Sequence, residues 1–94
     1  MTKSLIIGCG NLGQNIISGF YKNKKKILIC DKNKIFLKKI KKNYKNFFEV
    51  KENLKEVSLK KIEYIFLCIK PQQALSVLRI ISQKSKKRIK IISF

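Results

Sequence analysis

Unbroken apolar runs alternate along this chain with stretches in which apolar residues recur every three or four positions. Leu5-Ile6-Ile7 is the first run and predicts a buried strand over Ser4–Gly8. Asn11–Tyr21 follows as a helix with Leu12, Ile16, Ile17 and Phe20 on one face. Ile27-Leu28-Ile29-Cys30 is aliphatic without alternation, the signature of a parallel-sheet strand covered on both faces. A second helix over Lys34–Asn43 takes Asn33 as its N-cap and presents Ile35, Phe36 and Ile40. Phe47–Val50 predicts a short third strand, and Asn53–Leu59 a helical or looped segment with Leu54, Val57 and Leu59 turned inward. Glu63–Ile69 is the strongest strand, stopped by Lys70-Pro71. Proline keeps its predecessor out of the helical region yet fits the first turn of a helix. That helix covers Gln72–Gln83, with Ala74, Leu75, Leu78 and Ile81 inward, and Ile89–Phe94 is a fifth strand.

Strands alternating with helices imply a parallel sheet with right-handed crossovers. The expected fold class is α/β, a doubly wound parallel sheet in the order 3-2-1-4-5 that ends at about strand five, one partial domain over residues 1–94. Its ligand crevice lies beyond the carboxyl ends of strands one and four, where the winding reverses. The glycine turn, Asp31, Asn53 and Lys70-Pro71 each follow a strand and so meet at one sheet edge.

The turn itself reads Gly8-Cys9-Gly10-Asn11-Leu12-Gly13 between a strand and a helix. Such a turn aims backbone N–H groups and a helix N-terminus at one point, suited to a phosphate. Gly8 allows the tight exit from the strand, Gly10 the approach of a pyrophosphate, and Gly13 close helix–strand packing. Asp31 stands eighteen positions after Gly13, where an adenosine ribose would lie. A carboxylate there binds ribose hydroxyls and repels a 2′-phosphate, leaning towards NADH. Lys32, Asn33 and Lys34 act in the opposite sense, and a plain turn or cap role for Asp31 stays open.

Charge and composition narrow the remaining classes. The chain of 94 residues carries 23 Lys+Arg against 5 Asp+Glu, a net charge of +18. A basic nucleic-acid or anionic-surface module is therefore one alternative. The cations are spread over every predicted helix and loop and are nearly all Lys, a point charge without the planar fork that reads bases. Weak, salt-sensitive polyanion binding is the expectation that follows. Three cysteines, Cys9, Cys30 and Cys68, make no C-x-x-C pair, and His is absent, so neither a zinc site nor a disulfide framework is expected. No apolar run approaches the roughly 18 residues of a membrane span, and no secretory signal opens the chain; the expectation is a cytoplasmic protein without a membrane partner. No residue set makes a catalytic acid, base or nucleophile.

Two stretches carry a family resemblance. Ile6-Ile7-Gly8-Cys9-Gly10-Asn11-Leu12-Gly13 through Phe20 resembles the opening of pyrroline-5-carboxylate reductases, and Ile65–Gln72, ending in Lys-Pro-Gln, is similar to that family's fourth-strand signature. The resemblance implies a Rossmann-type domain and NADPH- or NADH-dependent reduction of 1-pyrroline-5-carboxylate to L-proline. Carried over by position, it implies that Gly8, Cys9, Gly10, Asn11, Leu12 and Gly13 hold the pyrophosphate. Asp31, Lys32 and Asn33 would surround the ribose, Asn53 would touch the adenosine side, and Lys70 and Pro71 would flank the nicotinamide. Family members continue past Ile91-Ile92-Ser93 into a helical dimerisation domain that completes the substrate pocket. The resemblance thus assigns to these residues the cofactor-binding part, the alternative within the family being an inert nucleotide-binding remnant. It leaves the oligomeric state open.

Overall fold

The computed structural model describes residues 3–8 and 10–94, the side chain of Asn11 excepted. Five strands, β1 (Ser4–Ile7), β2 (Leu28–Cys30), β3 (Glu49–Lys51), β4 (Tyr64–Leu67) and β5 (Lys90–Ser93), form one sheet in the order β3-β2-β1-β4-β5. Every pairing is parallel, with Ile6 opposite Ile29 on one side and Phe66 on the other. The helices are α1 (Asn11–Lys22), α2 (Lys34–Asn43) and α3 (Pro71–Lys84), with one 3-10 turn at Leu54–Glu56. The expected strand order and doubly wound class are thus the observed ones.

Because side chains alternate across a strand, the aliphatic runs feed two cores. Leu5, Ile7, Leu28, Cys30, Ile65 and Leu67 face one way, packed with Ile81 of α3 and with Leu54, Val57, Leu59 and Ile62. The segment 54–62 thereby serves as the helix that this crossover lacks. Ile6, Ile29 and Ile27 face the other way, against Ile17 of α1 and Leu37 and Ile40 of α2. All of β2 is buried, as its unbroken aliphatic pattern requires.

Three helix faces differ from those expected. In α1, Gly13 and Ile17 are buried and Ile16 and Phe20 half-buried, while Leu12 is 44% exposed. Leu12 sits about 100° around the helix from Gly13, off the inward arc. In α2 the inward residues are Leu37 and Ile40, with Phe36 at the margin and Ile35 69% exposed. In α3 the sheet takes Ala74, Val77, Ile80 and Ile81 and leaves Leu75 61% exposed and Leu78 near the surface. This helix carries two apolar stripes, and periodicity alone picks neither. β3 also starts later than expected. Phe48 instead joins Tyr21, Tyr44 and Phe47 in an aromatic cluster with ring centroids 4.8–6.2 Å apart. On the far edge every residue of β5 is exposed.

The ends of α1 and α2 share one device. Lys25 N–H donates to Phe20 C=O and Lys24 N–H to Tyr21 C=O, while Asn46 N–H donates to Lys41 C=O and Lys45 N–H to Lys42 C=O. These are Schellman closures, but Lys24 (φ 54°) and Lys45 (φ 51°) occupy the left-handed position that glycine usually fills.

The α3 face supplies a stability test. Ile81→Ala should cost about 2–5 kcal/mol by urea unfolding, and Leu75→Ala less than about 0.5 kcal/mol. The reverse ranking would show that the other apolar stripe packs on the sheet.

Candidate functional site: the carboxyl edge of the sheet

Backbone hydrogen bonds carry the ladder past the strand ends. Gly8 N–H donates to Cys30 C=O (2.9 Å), Asp31 N–H to Lys51 C=O (3.1 Å) and Cys68 N–H to Ile7 C=O (2.9 Å). Gly8, Asp31 and Cys68 are thus fixed at one edge by the same sheet, together with Asn53 after β3 and Lys70 after β4. Of the expected site, Gly8 and Asp31 are fixed at this edge by the ladder and Asn53 and Lys70 follow their strands there; Cys9 lies outside the described residues.

Gly8 and Gly10 are glycine for different reasons. Gly8 has φ +78°, and a Cβ there would lie 2.3 Å from Ile69 Cγ2 and 2.9 Å from the Cys68 carbonyl oxygen. Its requirement is internal: the chain passes against the β4 exit and turns left-handed. Gly10 has φ −72°, and a Cβ built on it meets nothing within 4 Å. Among the described residues no protein contact demands glycine at position 10, and the space beside it is open enough for a ligand to approach the backbone. Gly13 is buried within α1.

The helix starts around the crevice divide in two. α2 is capped by Asn33, whose Oδ1 accepts from Phe36 N–H at 3.1 Å. α1 and α3 start at Gly10 and Lys70 without a side-chain cap, and neither has an acidic residue in its first turn. In α3, however, Pro71 has no N–H and the Gln73 N–H donates to Lys70 C=O at 2.9 Å, which leaves the Gln72 N–H for water or an anion. Lys70 adopts the extended conformation that Pro71 imposes, and Pro71 is the first helical residue of α3. The crevice between β1 and β4 is therefore flanked by two uncapped helix N-termini, which fits a pyrophosphate group.

On the adenosine side, Asp31 Oδ1 accepts from Asn33 N–H at 2.8 Å, so the turn role left open by the sequence is realised. Asn53 caps the 3-10 turn, its Oδ1 accepting from Lys55 N–H at 3.0 Å. Both asparagines have their side-chain oxygens engaged locally, leaving the amide NH2 as the free donor. Sequence reasoning passed over Lys51, Glu52 and Ile69. Lys51 receives the Asp31 N–H, Glu52 pairs with Lys34 at 3.9 Å, and Ile69 closes the space beside Gly8. The strand order pointed to the first two, because β3 neighbours β2.

Cys30 is buried, and that burial, reinforced by the Asp31 carboxylate and opposed by Lys32, pushes its thiol up to about 11. Burial also raises the pKa of the half-buried Cys68. Neither thiol is activated as a nucleophile. Among the described residues no group of three or more metal-binding side chains comes together, and no helix is long and apolar enough to cross a membrane.

A switch-point crevice with a glycine turn and flanking helix N-termini defines a dinucleotide-binding domain of the doubly wound α/β class. The model of the family described as "NADP oxidoreductase coenzyme F420-dependent" matches residues 3–94, and the chain belongs to that family of NAD(P)-binding oxidoreductase domains, in agreement with NADPH or NADH as cofactor. Two solved structures share the fold. One, named SsCR_L211H, superposes with a TM-score of 0.72 at 16% identity over 99% of this chain and 37% of its own. The other, SirC, precorrin-2 dehydrogenase, gives 0.63 at 16% identity over 96% of this chain and 43% of its own. The chain thus spans well under half the length of either. No curated protein sequence matches it.

The two glycines can be separated experimentally. Gly8→Ala should destabilise the fold by about 3 kcal/mol through its left-handed φ and the Cys68 contact. Gly10→Thr should change stability by no more than about 0.5 kcal/mol, since threonine caps a helix about as well as glycine. The same variant should abolish nucleotide binding; retained affinity would remove the pyrophosphate from this turn.

Cys30 gives a pH signature. Its folded pKa lies above that of an unfolded thiol, so its contribution is intact at neutral pH. That contribution is lost as pH rises through the ordinary thiol range towards about 11. Chemical unfolding across this range should fall more steeply in the parent than in Cys30→Ala. Equal slopes would show that the thiol is not desolvated.

Proposed function

We propose that this chain is the cofactor-binding part of a pyrroline-5-carboxylate reductase, reducing 1-pyrroline-5-carboxylate to L-proline with NADPH or NADH. The observation that carries the reading is the convergence of its two family-like stretches. The glycine turn after β1 and Cys68-Ile69-Lys70-Pro71 after β4 lie side by side, tied by the Cys68 N–H to Ile7 C=O bond and the contact of Ile69 with Gly8. One stretch resembles the family's pyrophosphate loop and the other its nicotinamide wall.

In this reading Gly8, Gly10 and the start of α1 hold the pyrophosphate, Asp31 to Asn33 and Asn53 the adenosine half, and Lys70 and Pro71 the edge of the nicotinamide. The bound nicotinamide supplies the hydride. The chain's own contribution is to bind and orient it. With no His, and with five acidic residues that form no pair at the crevice, the imine's contacts and proton belong to a complementing part. The localisation that goes with this role is cytoplasmic.

The reading is tested in two stages. NADPH or NADH at roughly 100 times its Kd should stabilise the protein by about 2.7 kcal/mol, in a shift that survives moderate salt. Nicotinamide oxidation in the presence of 1-pyrroline-5-carboxylate should then be matched by proline formed. Binding without proline formation, in the chain and in any assembly it enters, would sink the proline assignment and leave the family. Running the same assay with coenzyme F420 in place of the imine asks whether the hydride partner is the one in the family's description.

A further inference from the structure

We propose that the amino edge of the sheet, opposite the crevice, is a platform for single-stranded nucleic acid, held through its phosphates by lysines and through its bases by two exposed tyrosines. Because all five strands are parallel, each connection that leads into a strand reaches this edge, and the three helices run back to end there. Cations that are spread evenly along the chain are thereby gathered in space. Residues 22–26 hold four lysines, 41–45 three, 60–61 two, and 86–88 two lysines and an arginine; all are exposed, and together they are twelve of the chain's 23. The first two groups form one surface. Ring centroids of Tyr21 and Tyr44 are 4.8 Å apart, those of Tyr21 and Phe47 5.3 Å, and Lys26 Nζ stands 5.7 Å over the Phe47 ring. The last two are joined by Lys87, whose ammonium donates to the Lys60 carbonyl.

Two carboxylates share this edge, and both are engaged outside the twelve: Glu49 lies 4.0 Å from Lys51, and Glu63 3.9 Å from Lys3. The helix dipole accounts for Lys22, Lys41 and Lys42, which stand in last turns. It does not account for the rest, which stand in the connections beyond the helix ends. The apolar groups among these cations indicate the kind of polyanion. Exposed Leu12, Ile35 and Leu75 lie near the starts of their helices, at the crevice edge, and Ile91 and Ile92 lie within β5. At the amino edge the large apolar side chains exposed among the described residues are Tyr21, at the end of α1, and Tyr64, opening β4, each 38% exposed. A membrane surface needs aliphatic or aromatic groups that insert between the cations, whereas a single strand needs rings on which its bases stack. Lysine serves the phosphates as a point charge and reads no sequence, so the ligand is single-stranded RNA or DNA bound with little sequence preference.

Anisotropy of a fluorescently labelled oligouridylate, titrated with the whole chain at several salt concentrations, tests the proposal. Lys25→Gln, Lys42→Gln and Lys61→Gln combined should weaken binding about tenfold and lower the slope of log affinity against log salt by about 2, the share of three phosphates on a single strand. Lys38→Gln, Lys39→Gln and Arg79→Gln combined remove the same charge from the flanks of α2 and α3, and should change affinity less than about twofold. Tyr64→Ala and Tyr21→Ala should each weaken binding about fivefold, the loss of one stacked base, with the salt slope unchanged. Equal losses in the two triple variants would show attraction to net charge alone and overturn the platform, as would a parent that does not bind. Unchanged affinity in both tyrosine variants, a duplex bound as tightly as the strand, or tighter binding to phosphatidylserine vesicles would overturn the single-strand assignment.

Discussion

The exit of β1 at Gly8 is the constraint on which the rest of the carboxyl edge depends. At one residue the chain must leave the central strand, donate to the carbonyl of Cys30 on β2, and pass within contact of Cys68 and Ile69 on β4. Only a left-handed turn without a Cβ meets all three demands. Once that turn is made, α1 starts beside the β1–β4 crevice, next to the start of α3. The open crevice thus follows from the packing of strand exits, and Gly10 stands at it as a glycine that no described protein atom constrains.

Charge is the second constraint. At +18 the molecule repels itself, and its few carboxylates are spread thinly over paired and unpaired lysines. Lysine even takes the left-handed positions that close α1 and α2, at a cost of about 1–2 kcal/mol each relative to glycine. Such strain is tolerated because both closures are otherwise complete, with the terminal carbonyls of each helix paired. The lysine side chains also work as donors: Lys84 Nζ bonds the Lys55 carbonyl at 2.8 Å, and Lys87 bonds that of Lys60, tying α3 and the residues after it to the segment 54–62. Lysine abundance is therefore compatible with this fold through both backbone tolerance and local donation.

What could be read from the chain in advance follows how many partners each residue has. Strand order and the capping of α2 by Asn33 were legible, because parallel βαβ chirality and the N-cap geometry each leave one solution. So was the inward turn of Leu54, Val57 and Leu59. Legibility failed where an element had more apolar residues than the sheet could cover. α3 offers Leu75 and Leu78 beside Val77 and Ile81, and the sheet has room for only the second pair. Ile35 was misread because Leu37, two positions on, completes a better stripe with Ile40. At the site, the residue types were visible but their commitments were not. That Asp31 spends an oxygen on its own turn, and that Lys34 is held by Glu52, are facts of spatial pairing across β2 and β3.

That last point bears on how a nucleotide fingerprint should be weighed. An acidic residue at the end of the second strand is usually taken as a sign of NADH, yet its meaning lies in the number of acceptor lone pairs it leaves for the ribose. A neighbour two positions on that donates its N–H engages one of the aspartate's acceptor sites in bracing the loop. In this chain Asn33 does both: it caps α2 with its side chain and holds Asp31 with its backbone. The capping of α2 and the bracing of the β2 exit are therefore one arrangement. A side-chain substitution at Asn33 would uncap the helix while its backbone N–H went on holding Asp31, and proline alone would remove both.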